Sequence, residues 1–315
     1  MNIPVLLLIF NRPDTTQAVF DVIRAAKPTR LYVACDGARQ GRPEESLAVE
    51  YTRTLATAVD WECRVYTLFR DRNLGCRLAV SGALDWFFDQ EERGIVLEDD
   101  CVVDASFFPF VSELLTRYAD DERVMAISAM HAHGNAHRPN TSYFFSRYNH
   151  CWGWASWRRA WRMYDHDMDL WPSLRETDWL LRLGSGNRLF SRYWTNIFDR
   201  AHAGQIDSWA YRWTFTCWAQ HGLSVLPAYN LVKNIGFGIG ATHTTDVKSP
   251  LGSLKLESLE FPLVHPSGMV RDARADIWTD DNIFGIRRIN ALKEALRVLP
   301  GGEILASIYR GMKGS

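Results

Sequence analysis

Along the first 130 residues, apolar and polar positions alternate between two periods. Runs of strand length occupy residues 4–10, 30–35, 63–69, 94–97 and 124–130, and between them apolar residues recur at helical spacing over 14–26, 43–58, 75–90 and 104–117. This alternation predicts a mostly parallel central sheet flanked by helices on both faces. The helix starts are marked. Pro13-Asp14 opens the first, Pro43-Glu44-Glu45 puts acids into the first turn of the second, and Asp104 or Ser106 caps the fourth. In such sheets ligands collect at the carboxyl ends of the strands. The segments there, "FNRPD", "CDGARQG", "RDRNLG" and "EDD", are all polar, and a parallel topology brings them to one edge.

Beyond residue 135 the texture changes. "WGWASWRRAWRMY" (152–164), residues 177–204 and residues 206–222 read as aromatic helices, followed by a strand-like "LSVLPAYN" (223–230) and a glycine-rich "NIGFGIGATHT". No linker interrupts the chain. Residues 1–135 are therefore expected to form an α/β half, residues 136–250 the second half of the same domain, and residues 251–315 a C-terminal extension. Within the extension, residues 286–298 have helical periodicity and a basic face, which suits a solvated helix or a weak attachment to a membrane surface.

Composition adds exclusions. The 315 residues are 47% hydrophobic and 23% charged, with a formal net charge of −1. That balance argues against nucleic acid as a partner, because a phosphate backbone calls for a strongly basic face. Six scattered cysteines lack zinc-like spacing and read as buried free thiols in a reducing compartment. Residues 4–10 are too short to span a bilayer and lack the flanks of a signal peptide. A cytoplasmic protein is expected, peripheral at the inner face of the membrane if the basic helix binds there. The 13 tryptophans suit either a core or a sugar-stacking surface.

The sharpest chemistry lies in "GIVLEDDCVVDASFF" (94–108), where a short apolar run ends in Glu98-Asp99-Asp100. On a continuing strand, Glu98 and Asp100 would face one side and Asp99 the other. Such a pair offers hard oxygen ligands to Mn²⁺ or Mg²⁺, which take one or two carboxylates together with water and substrate phosphates. A solvated turn is the alternative.

With "VLLLIFNRP", "YVACDG", "WGWASW", "IDSWAYRW" and "FGIGATHT", this stretch resembles the GT-A glycosyltransferases of the broad family-2-like group, and in particular the inverting N-acetylglucosaminyltransferase I type. The resemblance spans roughly residues 4–245. It implies a Rossmann-like GT-A sheet with an aromatic-rich acceptor-side lobe. It also implies metal-dependent transfer from a nucleoside diphosphate sugar, UDP by default, to a glycan, glycolipid or glycoprotein acceptor. Carried over residue by residue, Asp100 becomes the metal ligand, Asp99 lies near the donor ribose and Glu98 near the donor sugar. Asn11 and Arg12 stand beside the nucleotide or its phosphates, and Asp36 of Asp36-Gly37 accepts a hydrogen bond from the base. Asn73 and Gly75 form a turn that leaves Arg77 near the diphosphate. Asp207 becomes the general base, with Asp199 second, although an aspartate before a helical run is also a favoured N-cap. Gly153, Trp154 and Trp209 fall to the sugar or acceptor, and His243 to the metal or diphosphate.

Other features are weaker. "MHAHGNAH" (130–137) carries three histidines but no nearby acid, and reads as a solvated loop. No Walker motif or nucleophile elbow is present. Two rivals stay open: a nucleotidyltransferase that makes sugar nucleotides, which would carry a glycine-rich basic loop where this chain has "NRPDTT", and a non-catalytic carbohydrate-binding protein using the tryptophans.

Overall fold

A computed structural model describes residues 1–236 and 250–286. The first half alternates as its periodicity predicts: β1 (Val5–Ile9), α1 (Pro13–Ala26), β2 (Arg30–Cys35), α2 (Pro43–Thr57), β3 (Arg64–Phe69), α3 (Gly75–Gln90), β4 (Arg93–Glu98), a short β5 (Cys101–Val103), α4 (Phe107–Arg117) and β6 (Val124–Ser128). The second half continues with β7 (Tyr143–Ser146), β8 (Trp154–Trp157), α5 (Arg158–Trp161), α6 (Trp171–Arg175), α7 (Trp179–Leu183), α8 (Arg188–His202), α9 (Ala210–Ala219), β9 (Leu223–Pro227), β10 (Val232–Asn234) and α10 (Ala273–Asn282).

Eight strands form one sheet in the order β3-β2-β1-β4-β8-β6-β9-β7, and β10 pairs with β5 in a separate ribbon. The pairings β3–β2–β1–β4 are parallel, as is β6–β9, while β8 is antiparallel to both of its neighbours and β7 antiparallel to β9. The sheet runs without a break from the first half of the chain into the second.

Its two faces bury two different cores. Alternation along β1 sends Val5, Leu7 and Ile9 to a core with Phe20 of α1 and Phe110 and Leu114 of α4. Leu6 and Leu8 go to the other, with Leu84 and Phe87 of α3 and the tryptophans of the second half. Both sets are buried, which is why these strands read as unbroken apolar runs.

Two expected helices take other forms. The start of 152–164 is the strand β8, wedged between β4 and β6, and only Arg158–Trp161 coils. The 177–204 pattern breaks after α7, where Ser185 and Gly186 adopt positive φ, and Asn187 caps α8 by accepting from the amides of Leu189 (2.9 Å) and Phe190 (3.3 Å).

The tryptophan excess is core. Trp154, Trp171, Trp194, Trp213 and Trp218 are fully buried, with Trp161 and Trp209 nearly so. Trp154 stacks on Trp209 with centroids 5.5 Å apart. Truncating such a side chain removes its burial and leaves a void. Trp154→Ala is therefore expected to lower the free energy of unfolding by about 3–5 kcal/mol. Urea titration followed by circular dichroism measures this; a side chain devoted to sugar stacking would leave the midpoint unmoved.

Candidate functional site

The polar segments at the strand ends converge as expected. After β1 come Phe10, Asn11 and Arg12, after β2 Asp36, after β3 Arg70 and Asn73, and after β4 the acids. With Asp207 from the loop before α9 they line a cavity of about 630 Å³.

The acids depart from simple alternation. β4 stops at Glu98 and the chain turns through Asp99-Asp100 into β5, so Asp99 lines the same cavity as Glu98 instead of facing away. Asp99 Oδ2 accepts a hydrogen bond from the Phe10 amide at 3.2 Å, which ties the acidic turn to the end of β1. Burial, and next the charge of Asp100, push Asp99 up to about 7. Burial, then Asp100 and Asp99, push Glu98 up to about 8. Arg12 opposes both shifts.

Asp100, the expected metal ligand, is already engaged. Its Oδ2 accepts from Arg12 Nη1 at 3.3 Å, and its Oδ1 from Asn234 Nδ2 at 3.2 Å and the Cys101 thiol at 3.4 Å. Arg12 thus faces an acid of its own chain. The backbone at Gly236 lies so close that a Cβ there would stand 2.1 Å from Asp100 Oδ2. Glu98 and Asp99, not Asp100, are the members of the triplet that line the cavity.

These residues fit a divalent cation by their donor chemistry: several carboxyl groups crowd one guanidinium, and the Glu98 carboxyl makes no hydrogen bond among the described residues. No preformed cluster of three or more ligating side chains occurs among those residues. Mg²⁺ or Mn²⁺ completed by phosphate and water requires no such cage.

The first turn of α3 organises the other wall. Asp36 accepts from the amides of Leu74 (2.9 Å) and Gly75 (3.1 Å), besides that of Gly37 (3.0 Å). Three amides of the protein's own backbone thus take most of the lone pairs of its carboxylate. Burial raises its pKa and these amides lower it. Gly37 is needed as glycine, because a Cβ would lie 2.5 Å from the Arg72 carbonyl carbon, and Asn73 Nδ2 donates to the Gly37 carbonyl at 2.8 Å. The loops after β2 and β3 are locked together by these contacts. Asn11 donates to Glu45 at 3.3 Å, and so buttresses α2.

Asp207 is exposed at the cavity's edge and accepts from the amides of Cys76 (3.1 Å) and Arg77 (3.0 Å). It does cap a helix, but the helix is α3; its neighbour α9 has Trp209 at the N-cap position and no side-chain cap. Arg77 contributes this amide and is not in the cavity lining, and its charge bears on Tyr164 and Arg212 in the aromatic half.

Several expected residues lie elsewhere. Gly153 packs among Val103, Ala129 and Leu97, and Trp154 and Trp209 are core, so none of the three offers a face to sugar. Asp199 is held by Arg175 (2.7 Å) and Trp171 (3.1 Å) away from the cavity. The histidine segment is not a solvated loop. His131 and His133 are buried, burial pushes both down to about 4, and His133 bonds the Ala275 carbonyl of α10 at 3.0 Å. His243, most of the 236–243 stretch, and all but the first residue of the basic helix lie outside the described residues.

Four polar residues of the cavity were missed: Arg70, Arg39, Arg42 and Cys76. Arg70 follows β3 and was findable by the strand-end rule. Its guanidinium faces Asp36 and has no hydrogen bond or ion pair among the described residues. Arg39 is paired with Glu45, the pairing pulling the acid's pKa down. The Cys76 thiol is pushed up to about 12 by burial and then by Glu98 and Asp207, so it is no nucleophile.

Among known proteins, no family model and no curated relative matches the chain. Solved structures similar to it include the following two. HddC from Yersinia pseudotuberculosis shows 11% identity and a TM-score of 0.32 over 54% of this chain and 85% of its own. Mouse xyloside xylosyltransferase 1 in its apo form shows 9% identity and a TM-score of 0.36 over 69% and 81%. At these scores neither likeness bears on function.

The acid cluster has a consequence for stability. An acid whose pKa rises on folding favours the folded state at low pH, and that advantage is lost as pH climbs, here between about 4 and 7 for Asp99. Asn cannot ionise but can still accept from the Phe10 amide. In chelator, the margin by which Asp99→Asn is more stable than the wild type is expected to grow by roughly 1–3 kcal/mol between pH 5 and pH 8. Chemical denaturation at the two pH values checks the sign.

Proposed function

We propose that this chain is a glycosyltransferase that moves a sugar from a nucleoside diphosphate sugar to an acceptor hydroxyl with inversion. The observation that carries the reading is the meeting of four strand-end segments and Asp207 in one cavity, where carboxyl and guanidinium groups stand side by side. A diphosphate needs cations, a divalent ion needs carboxylates, and an attacking hydroxyl needs a proton acceptor; the cavity offers each. The tryptophan-surface alternative is weakened, since eight of the 13 tryptophans are buried.

In this mechanism Arg70 receives the charge of the donor's phosphates, with Arg12 near them. Glu98 and Asp99 would hold Mn²⁺ or Mg²⁺, with Asp100 behind them. The cation, when bound, supplies positive charge to the departing diphosphate. The acceptor oxygen attacks the anomeric carbon from the face opposite the diphosphate and forms the glycosidic bond. The bond to the diphosphate oxygen breaks, and the nucleotide leaves with that electron pair. Asp207 takes the acceptor proton. Its two oxygens each accept one amide, which leaves lone pairs for that proton.

UDP as the nucleotide follows from the family resemblance, and a glycan, glycolipid or glycoprotein acceptor from the same source. No helix among the described residues is long and apolar enough to cross a membrane.

Isothermal titration of UDP, GDP and CDP, each with and without Mn²⁺, tests the reading. One nucleotide should bind in a Mn²⁺-dependent manner, and Asp99→Ala should abolish the metal dependence. Arg70→Ala should weaken binding about tenfold or more, as the loss of a charge-assisted contact predicts. Binding of none, or binding indifferent to metal and to both substitutions, would sink the proposal.

A further inference from the structure

We propose that the first turn of α3 is the device that aims Asp207, and that its amides serve the base instead of the donor's diphosphate. The inference rests on the glycosyl-transfer reading above.

A helix N-terminus carries unpaired amides and a positive dipole end, so in a nucleotide site it is the expected seat of a phosphate. Here the seat is filled from within. Asp36 takes the Leu74 and Gly75 amides, and Asp207 takes those of Cys76 and Arg77. Gly75 makes the second contact possible. Its φ is +78°, and a Cβ at that position would lie 2.8 Å from Asp207 Oδ2. The loop carrying Asp207 is braced from the other side by the buried Arg212, which donates to the carbonyls of Ser208 (3.2 Å), His166 (3.0 Å) and Ala201. Two fixed amides and a fixed loop hold the carboxylate's plane, so its remaining lone pairs keep one direction toward the cavity. Gly75 and the Cys76 and Arg77 amides are positioning groups; Asp207 is the catalytic one.

Proline is tolerated in the first turn of a helix and lacks the N–H. Cys76→Pro therefore deletes one of the two amides, and Cys76→Ala, which keeps the amide, is its reference because the thiol is absent from both. Hydrolysis of UDP-glucose, UDP-galactose and UDP-N-acetylglucosamine with Mn²⁺ identifies the donor that the wild type turns over fastest, and calorimetry gives the Kd of UDP–Mn²⁺. Relative to Cys76→Ala, Cys76→Pro is expected to lower kcat about tenfold to a hundredfold. Its KM and UDP–Mn²⁺ Kd should stay within about twofold, since neither reports on the base. Equal kcat for the two variants, or a Kd weakened in step with kcat, would overturn the inference and leave the glycosyl-transfer reading standing. A wild type that neither binds UDP nor hydrolyses any of the donors would overturn both. If circular dichroism finds Cys76→Pro unfolded, Gly75→Ala, whose methyl displaces Asp207 Oδ2, is judged against the wild type by the same split.

Discussion

The amides of one helical turn hold the site together. The first turn of α3 has no intrahelical acceptors for its N–H groups, and an orphaned donor in a half-buried wall is unfavourable. Asp36 comes from the end of β2 and Asp207 from the loop before α9, two segments far apart in the chain, and between them they satisfy Leu74, Gly75, Cys76 and Arg77. That turn is therefore the joint between the α/β half and the aromatic half, and the cavity takes its shape from it. The same bonds exclude an exogenous anion from the helix end. Negative charge entering the cavity must then be met by guanidinium groups and a cation.

The opposite wall runs against stability. Three consecutive carboxyl groups stand at the end of a buried strand with one guanidinium beside them, and burial drives the pKa of each upward. Packing alone would not select such a cluster. Perturbed acids gathered in a cleft are the mark of a site that binds charge. Arg12 is the partial remedy within the chain, and it acts on Asp100 by contact and on Glu98 and Asp99 through space. The distribution explains why Asp100 can be withdrawn from the cavity while its neighbours line it: the member with the most hydrogen-bond donors around it is the one whose charge the protein itself can accommodate.

Much of this was legible. Unbroken apolar runs such as Val5–Ile9, spaced by helical patterns, predicted the parallel half, and the rule that ligands gather at strand ends brought Asn11, Arg12, Asp36, Asn73, Glu98 and Asp99 to one cavity. What failed did so for identifiable reasons. Alternation was carried past Glu98 because nothing local announces that β4 ends there. Helix N-termini favour anions, and at the start of α3 two aspartates of the chain fill that place. Asp207 was correctly suspected of capping, yet a cap for a helix 130 residues earlier is a tertiary fact that spacing does not contain. Trp154 and Trp157 stand three residues apart, which reads as a helical spacing, yet β8 is buried on both faces and sends the two indoles to opposite cores.

That strand gives the tryptophans their role in the site. β8 delivers Trp154 to the face opposite α4, where it stacks on Trp209, and the Tyr164 hydroxyl donates to the Trp209 carbonyl at 3.3 Å. Trp209 lies two residues after Asp207. A carboxylate on a bare surface loop would sample many directions, and the amides of α3 alone could not hold the backbone behind it. Large rigid rings packed at interior density can, because no side chain in such a cluster moves without opening a void. The aromatic half thus touches no substrate through Trp154 or Trp209. It keeps the peptide at 207–209 still, so that two hydrogen bonds suffice to aim the Asp207 carboxylate.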